Sequence, residues 1–182
     1  KECAEVLSEP LSALMRRSMD ESIYPDNWKI AKVSSLFKNN EQFIKTNYRP
    51  ISLNPCISKV MERLVFDSMY NYFVINKLLN DQNSGFKGND CTTNRLLAIT
   101  HQIYQALNNS KDTLLVFLDI SKAFDRVWHK GLIFKLKQLG ITGKLLKWIE
   151  NYLQNRRQFV NISGNHSRSE EHTSELQSLA YL

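Results

Sequence analysis

Asp119 is the residue whose type and setting first suggest chemistry in this 182-residue sequence. It follows Leu114-Leu115-Val116-Phe117-Leu118, a short apolar run bounded by turn residues. That pattern predicts a buried central strand over 113–120 that ends in a carboxylate. A charge there must be paired or hold a cation. A carboxylate at the exit of a central strand suits magnesium, which takes hard oxygen ligands and keeps positions open for phosphate oxygens. Two such ions can clamp the attacking and leaving oxygens of a phosphoryl transfer, which requires at least two carboxylates. Asp125 lies six residues on, beyond a turn. On spacing alone the simpler reading is structural: Asp119 caps the following helix, and Asp125 pairs with Arg126 or a nearby lysine.

The net charge is +6, unevenly spread. Residues 126–160 carry eight basic side chains against one acid, Glu150, a local net of +7. The basic set includes Lys130, Arg156 and Arg157, interleaved with Trp128, Trp148 and Tyr152. Phosphate contacts and base stacking need that combination; a solvated helix face would also produce it.

The elements that must position these residues follow from periodicity. Leu7, Leu11, Leu14 and Met15 recur at helical spacing. Tyr24-Pro25-Asp26-Asn27 is a turn, and residues 28–37 alternate partially, as a strand would. Pro50 and Pro55 bracket an extended piece. Ile57, Val60, Met61, Leu64, Val65, Met69, Tyr72 and Phe73 mark the clearest helix. A glycine-bearing loop over 80–90 leads to a helix from about Thr92 to Leu107, its stripe formed by Leu96, Thr100, Ile103 and Leu107 and its cap by Asp90 or Thr92. Leu132, Leu136 and Leu139 form another stripe, closed by Gly140. Thr142 then caps a helix with Leu145, Leu146, Ile149 and Leu153 inward. Residues 158–162, ending at Gly164, fit a hairpin strand. The expected fold class is α+β, helix-rich with few strands.

Apolar residues at 42% and charged residues at 23% describe a globular chain, and no apolar run is long enough to span a bilayer. No secretory leader is visible, and the start at Lys1 without methionine reads as a fragment. Cys3, Cys56 and Cys91 are odd in number and scattered, which argues against a disulfide framework or a structural metal and fits a reducing compartment. Three Asn-x-Ser triplets, at Asn108, Asn161 and Asn165, carry little weight without other signs of secretion.

The stretch Phe117-Leu118-Asp119-Ile120-Ser121-Lys122-Ala123-Phe124-Asp125-Arg126-Val127 resembles the first catalytic motif of reverse transcriptases, most closely the non-LTR, LINE-type, jockey-like branch. Other blocks agree in order. Asn47-Tyr48-Arg49-Pro50-Ile51-Ser52-Leu53, with Lys59 and Glu62, resembles the first fingers block. Gln82-Asn83-Ser84-Gly85-Phe86-Lys87, with Thr92-Thr93, resembles the next. Trp128-His129, Leu132, Lys135-Leu136, Gly140-Ile141, Trp148-Ile149, Tyr152-Leu153 and Arg156 continue the similarity to about Gly164.

The resemblance implies a partial right-hand polymerase fold over 1–167, with fingers and the first palm motif. It implies an RNA-directed DNA polymerase that extends a DNA 3′-hydroxyl on an RNA template with deoxynucleoside triphosphates and two Mg2+ ions. Asp119 would be a metal ligand, helped by the Ile120 backbone carbonyl. Phe124 would exclude a ribose 2′-hydroxyl, and Arg49 would contact the incoming triphosphate or the template, since its fork suits phosphate. Gly85 and Phe86 would shape a loop against the template, and Asp125 would have a supporting role. Lys87 stands where the family often has Arg; Lys38, Lys45, Lys87, Lys130, Arg156 and Arg157 are weaker nucleic-acid candidates. The expected partners include no membrane. The parent element is expected inside the cell, in nucleus and cytoplasm.

The family's later Pro-Gln-Gly and Tyr/Phe-Ala-Asp-Asp blocks are absent, so the chain alone is expected to be inactive. Residues 168–178 instead match one reading frame of a widely used short-read sequencing adapter, and 168–182 is read as a non-native tail. The alternatives are a non-catalytic RNA-binding remnant of a decayed element and an intron-type reverse transcriptase.

Overall fold

The computed structural model describes residues 3–38, 41–44, 47–121, 123–162, 165–167 and 170–171. Lys45, Lys122, Gly164 and nearly all of the tail from residue 168 lie outside them. The chain divides into two compact units, residues 1–67 with 122–182, and residues 68–121.

In the larger unit, helix α1 (Ala4–Glu21) ends in a left-handed Ser22, and a short 3-10 turn (Asp26–Lys29) leads into strand β1 (Ile30–Phe37). Strand β2 (Tyr48–Leu53) pairs antiparallel with β1, Phe37 opposite Tyr48 and Lys32 opposite Leu53. Helix α2 (Cys56–Ile75) begins here; α3 (Thr92–Asn108) belongs to the smaller unit. Helices α4 (His129–Gln138) and α5 (Gly143–Leu153) precede strand β3 (Arg157–Ile162), which runs parallel to β1. Two short strands, β4 (Asn165–His166) and β5 (Glu170–Glu171), pair antiparallel with β3. The sheet is therefore mixed, with β1 between β2 and β3.

The core of this unit is aromatic. Tyr24 meets Trp28, Trp148 and Tyr152 edge-on, with ring centroids 5.5, 5.3 and 4.9 Å away, and Trp148 stacks on Tyr152. Edge-to-face contacts suit the ring quadrupoles and add to the area that these large side chains bury. Several polar groups in the core are satisfied locally. The Trp148 indole N–H donates to Ser18 Oγ (3.0 Å), which donates to the Ile23 carbonyl (2.6 Å), and the Tyr24 backbone N–H donates to Asn151 Oδ1 (2.9 Å). These bonds tie α1 and the following turn to α5.

Helix α4 stops as its sequence predicts. Gly140 adopts φ +90°, its N–H donates to the Lys137 carbonyl, and the Ile141 N–H donates to the Leu136 carbonyl. That is a Schellman closure, and buried Ile141 and Leu136 supply its apolar contact. Thr142 occupies the N-cap of α5 without a side-chain bond.

Several expectations are corrected. Residues 113–120 form no strand: they have no regular secondary structure and are exposed throughout, with Leu114, Phe117 and Leu118 at 87%, 83% and 91% exposure. A strand exists through its ladder, and none of the described strands pairs with this segment. The buried face of α2 is Ser58, Met61 and Glu62, one step round from the apolar stripe, which leaves Ile57, Val60 and Leu64 exposed. Helix α3 forms as expected but has no buried residue. Its N-cap is Cys91; Asp90 Oδ1 accepts from the Cys91 N–H and the Asn94 side-chain amide, so neither Asp90 nor Thr92 caps it.

Candidate functional site

Asp119 and Ile120 close the exposed segment of the smaller unit, and both are exposed. The premise of a buried charge therefore fails, because water solvates the Asp119 carboxylate. The next turn (Phe124–Arg126) has Ala123 at its N-cap, so Asp119 does not cap it either. Phe124 is half-buried and Asp125 exposed, and both belong to that turn in the larger unit.

Within the smaller unit the loop before α3 is held by side chains. Arg95 donates from Nε to Ser84 Oγ (2.8 Å) and from Nη2 to the Gln82 carbonyl (2.7 Å). The Gly88 N–H donates to the Tyr70 hydroxyl (2.9 Å). Lys87 pairs with Asp81 at 3.5 Å, so its ammonium already has a local counter-ion. Between these anchors Phe86 is exposed and sits at φ +58°, a left-handed conformation unusual for a bulky side chain. Gly85 has an ordinary φ and needs no special freedom there.

The basic candidates of the larger unit separate by burial. Arg49 on β2, Lys38 after β1, Lys130 on α4 and Arg157 at the start of β3 are exposed. Arg156 is not a surface contact, with 7% exposure: its guanidinium lies 4.7 Å over the Tyr152 ring, and Nη1 donates to the Tyr152 carbonyl at 3.4 Å. Trp148 and Tyr152 likewise belong to the core, so of Trp128, Trp148 and Tyr152 only Trp128 faces solvent.

Sequence reasoning missed the polar cluster in that core. Glu62 is 2% exposed and accepts a hydrogen bond from the Tyr24 hydroxyl at 2.9 Å, while its other oxygen has no partner. Burial raises its pKa, opposed by the Tyr24 bond and the positive charges of Arg156 and Lys59. His129 lies near enough to Arg156 to feel its charge; burial first, then that charge, lowers its pKa. The signal was present: Ser58, Met61, Glu62 and Val65 form a helical stripe of their own. An acid in an apolar helix reads as a solvated edge until its face is known.

A metal cofactor can be tested against these donors. Asp119 offers the hard oxygen that a divalent ion requires, but no group of three or more His, Cys, Asp or Glu side chains suited to a metal exists among the described residues. The donor type fits and the donor count falls short. No helix among the described residues is long and apolar enough to cross a membrane.

The family described as "Reverse transcriptase (RNA-dependent DNA polymerase)" matches residues 36–176. Among curated proteins, the chain is similar to the probable RNA-directed DNA polymerase from transposon X-element of Drosophila melanogaster, 35% identical over 74% of this chain and 15% of the relative. The probable RNA-directed DNA polymerase from transposon BS of the same species is 32% identical over 79% and 16%. The RNA-directed DNA polymerase from its mobile element jockey is 30% identical over 85% and 17%. The chain thus spans about one sixth of the length of these relatives.

Proposed function

Because this chain belongs to the reverse transcriptase family, as a domain of the non-LTR, jockey-like kind, we propose that it is part of an enzyme that extends a DNA 3′-hydroxyl along an RNA template, with deoxynucleoside triphosphates as substrates. The observation that carries this reading is the family match across residues 36–176, which contains the ordered blocks around Arg49, Gly85 and Asp119.

Family membership implies a divalent metal cofactor; we take it to be Mg2+, two ions in the complete enzyme. Such ions neutralise charge on the transferred phosphoryl group and its entering and leaving oxygens. Asp119 would hold them through its carboxylate, with the Ile120 carbonyl beside it. Phe124 would pack against the incoming sugar and reject a 2′-hydroxyl by bulk. Arg49, exposed on β2, would meet phosphate of the nucleotide or template through its planar fork. Asp125 would have a supporting role. Gly85 and Phe86 would line the template path. Lys38, Lys130 and Arg157 would add sequence-independent attraction to the backbone.

The 182 residues alone would not synthesise DNA, since they hold one of the carboxylates that a two-metal site needs and lack the Pro-Gln-Gly and Ala-Asp-Asp blocks. A second reading is a remnant that binds RNA without catalysis, which the exposed Lys38, Lys130 and Arg157 would serve equally well. A primer-extension assay on the parent polymerase separates them. Asp119→Ala should abolish magnesium-dependent synthesis while template binding persists. Unchanged synthesis would remove Asp119 from the mechanism, and an inactive parent would favour the remnant.

A further inference from the structure

Trp128 is 73% exposed, and its indole is nonetheless seated. A Cβ built on Gly131, in the first turn of α4, would lie 2.4 Å from Cε3 and 3.0 Å from both Cδ2 and Cζ3 of that indole. The six-membered part of the ring therefore rests against the glycine backbone, in space that any other residue would fill. One side of the indole is thus held by α4, and most of its surface faces water. An exposed indole seated on a glycine presents a flat aromatic face that a partner can cover.

The charge of the neighbouring sequence points to the kind of partner. Between Asp125 and Glu150 the chain holds Arg126, Lys130, Lys135, Lys137, Lys144 and Lys147 and no acid. All six are exposed, and among the described residues only Lys144 of the six has a counter-ion, Asp20 at 2.9 Å. A flat aromatic surface within a positive field suits single-stranded nucleic acid, whose bases stack and whose phosphates are attracted. We propose that Trp128, positioned by Gly131, is a stacking platform for an unpaired base of the bound nucleic acid. This inference rests on the polymerase reading above and assigns a contact to it.

The three tryptophans make the test selective. Trp28 and Trp148 are buried, so Trp128 dominates the solvent-sensitive emission. The 182-residue chain is titrated with a short single-stranded uridine oligomer, following tryptophan emission and the anisotropy of a labelled oligomer. Stacking should quench the Trp128 emission. Trp128→Ala should weaken binding about tenfold, and Trp128→Phe should retain most of it. Gly131→Ala keeps the indole but displaces it, and should weaken binding as well. These ratios should persist as salt rises, because stacking is not screened, whereas overall affinity falls. Binding with unchanged emission and an unaffected Trp128→Ala variant would overturn the platform alone and leave the polymerase reading intact. No binding by the unmodified chain would overturn the platform together with nucleic-acid binding by this part, while primer extension by the parent still tests the polymerase reading separately.

Discussion

The Tyr24 hydroxyl donates to Glu62 Oε1 across 2.9 Å at the centre of the larger unit, and Glu62 Oε2 faces the core without a partner. This contact joins the turn after α1 to α2 inside an aromatic cage formed with Trp28, Trp148 and Tyr152. A buried carboxyl group with a single hydrogen-bonded oxygen is favoured in its protonated form.

Stability should therefore depend on pH through Glu62. Its pKa in the fold is raised, so the folded state binds the proton more tightly than the unfolded chain. The stabilisation is full below the unfolded carboxyl pKa of about 4.3 and is lost as pH rises through the higher folded value. Glu62→Gln keeps an acceptor for Tyr24 and cannot ionise. Its gain in melting temperature over the unmodified chain should be smallest in acid and grow across that interval. A difference that does not vary with pH would show that Glu62 does not titrate with folding.

Tyr24→Phe removes the donor and leaves both Glu62 oxygens unpaired. The cost should be about 1–3 kcal/mol at neutral pH, the usual penalty for a stranded buried polar group. Combined with Glu62→Leu, which removes the acceptor, the loss should be less than additive, because the residues share one bond. A double-mutant cycle by urea denaturation measures the coupling, and strict additivity would contradict it.

The legibility of the fold divides along the same line. Helices α1, α4 and α5 and the turn at Gly140 follow from local spacing and glycine chemistry, and they lie where the sequence places them. Strand β1 was readable from alternation, but its parallel pairing with β3, more than a hundred residues away, was not, since no local signal encodes a distant partner. The run Leu114–Leu118 misled because apolar residues describe what a strand would bury, whereas a strand also needs a neighbour. Trp148, Tyr152 and Arg156 misled in the opposite sense. Their types suit nucleic acid, yet α5 turns the two aromatic rings inward, and Arg156 covers Tyr152. Asp119, Phe124 and Arg49 were singled out by their motifs, and the local packing of each carries no sign of the chemistry proposed for it.

The exposed run over 113–120 should make the isolated chain associate. Its apolar side chains and unpaired backbone offer an edge for a second strand. Phe117→Lys should lower concentration-dependent light scattering and leave the unfolding midpoint unchanged, because Phe117 is exposed and supports no core. Unaltered scattering would place the association elsewhere.

The tail makes a prediction at the level of the gene. We expect residues 168–182 to derive from adapter sequence, so genomic DNA beyond the Ser167 codon should diverge from them and continue toward the Pro-Gln-Gly and Ala-Asp-Asp blocks. The family match reaches residue 176, so a locus that encodes these residues as they stand would refute the expectation directly. A long read across the locus decides it.

Asp119 offers the cleanest separation of chemistry from stability. Its carboxylate is exposed, at the end of a segment without secondary structure. Replacing it should change the unfolding free energy of the 182-residue chain by less than about 0.5 kcal/mol, as surface substitutions generally do. The same replacement should abolish synthesis by the parent polymerase. Thermal denaturation of Asp119→Ala beside primer extension therefore tests the two roles independently. A large loss of stability would mean that the carboxylate has a structural partner in the folded chain, and loss of synthesis could then no longer be assigned to the metal site.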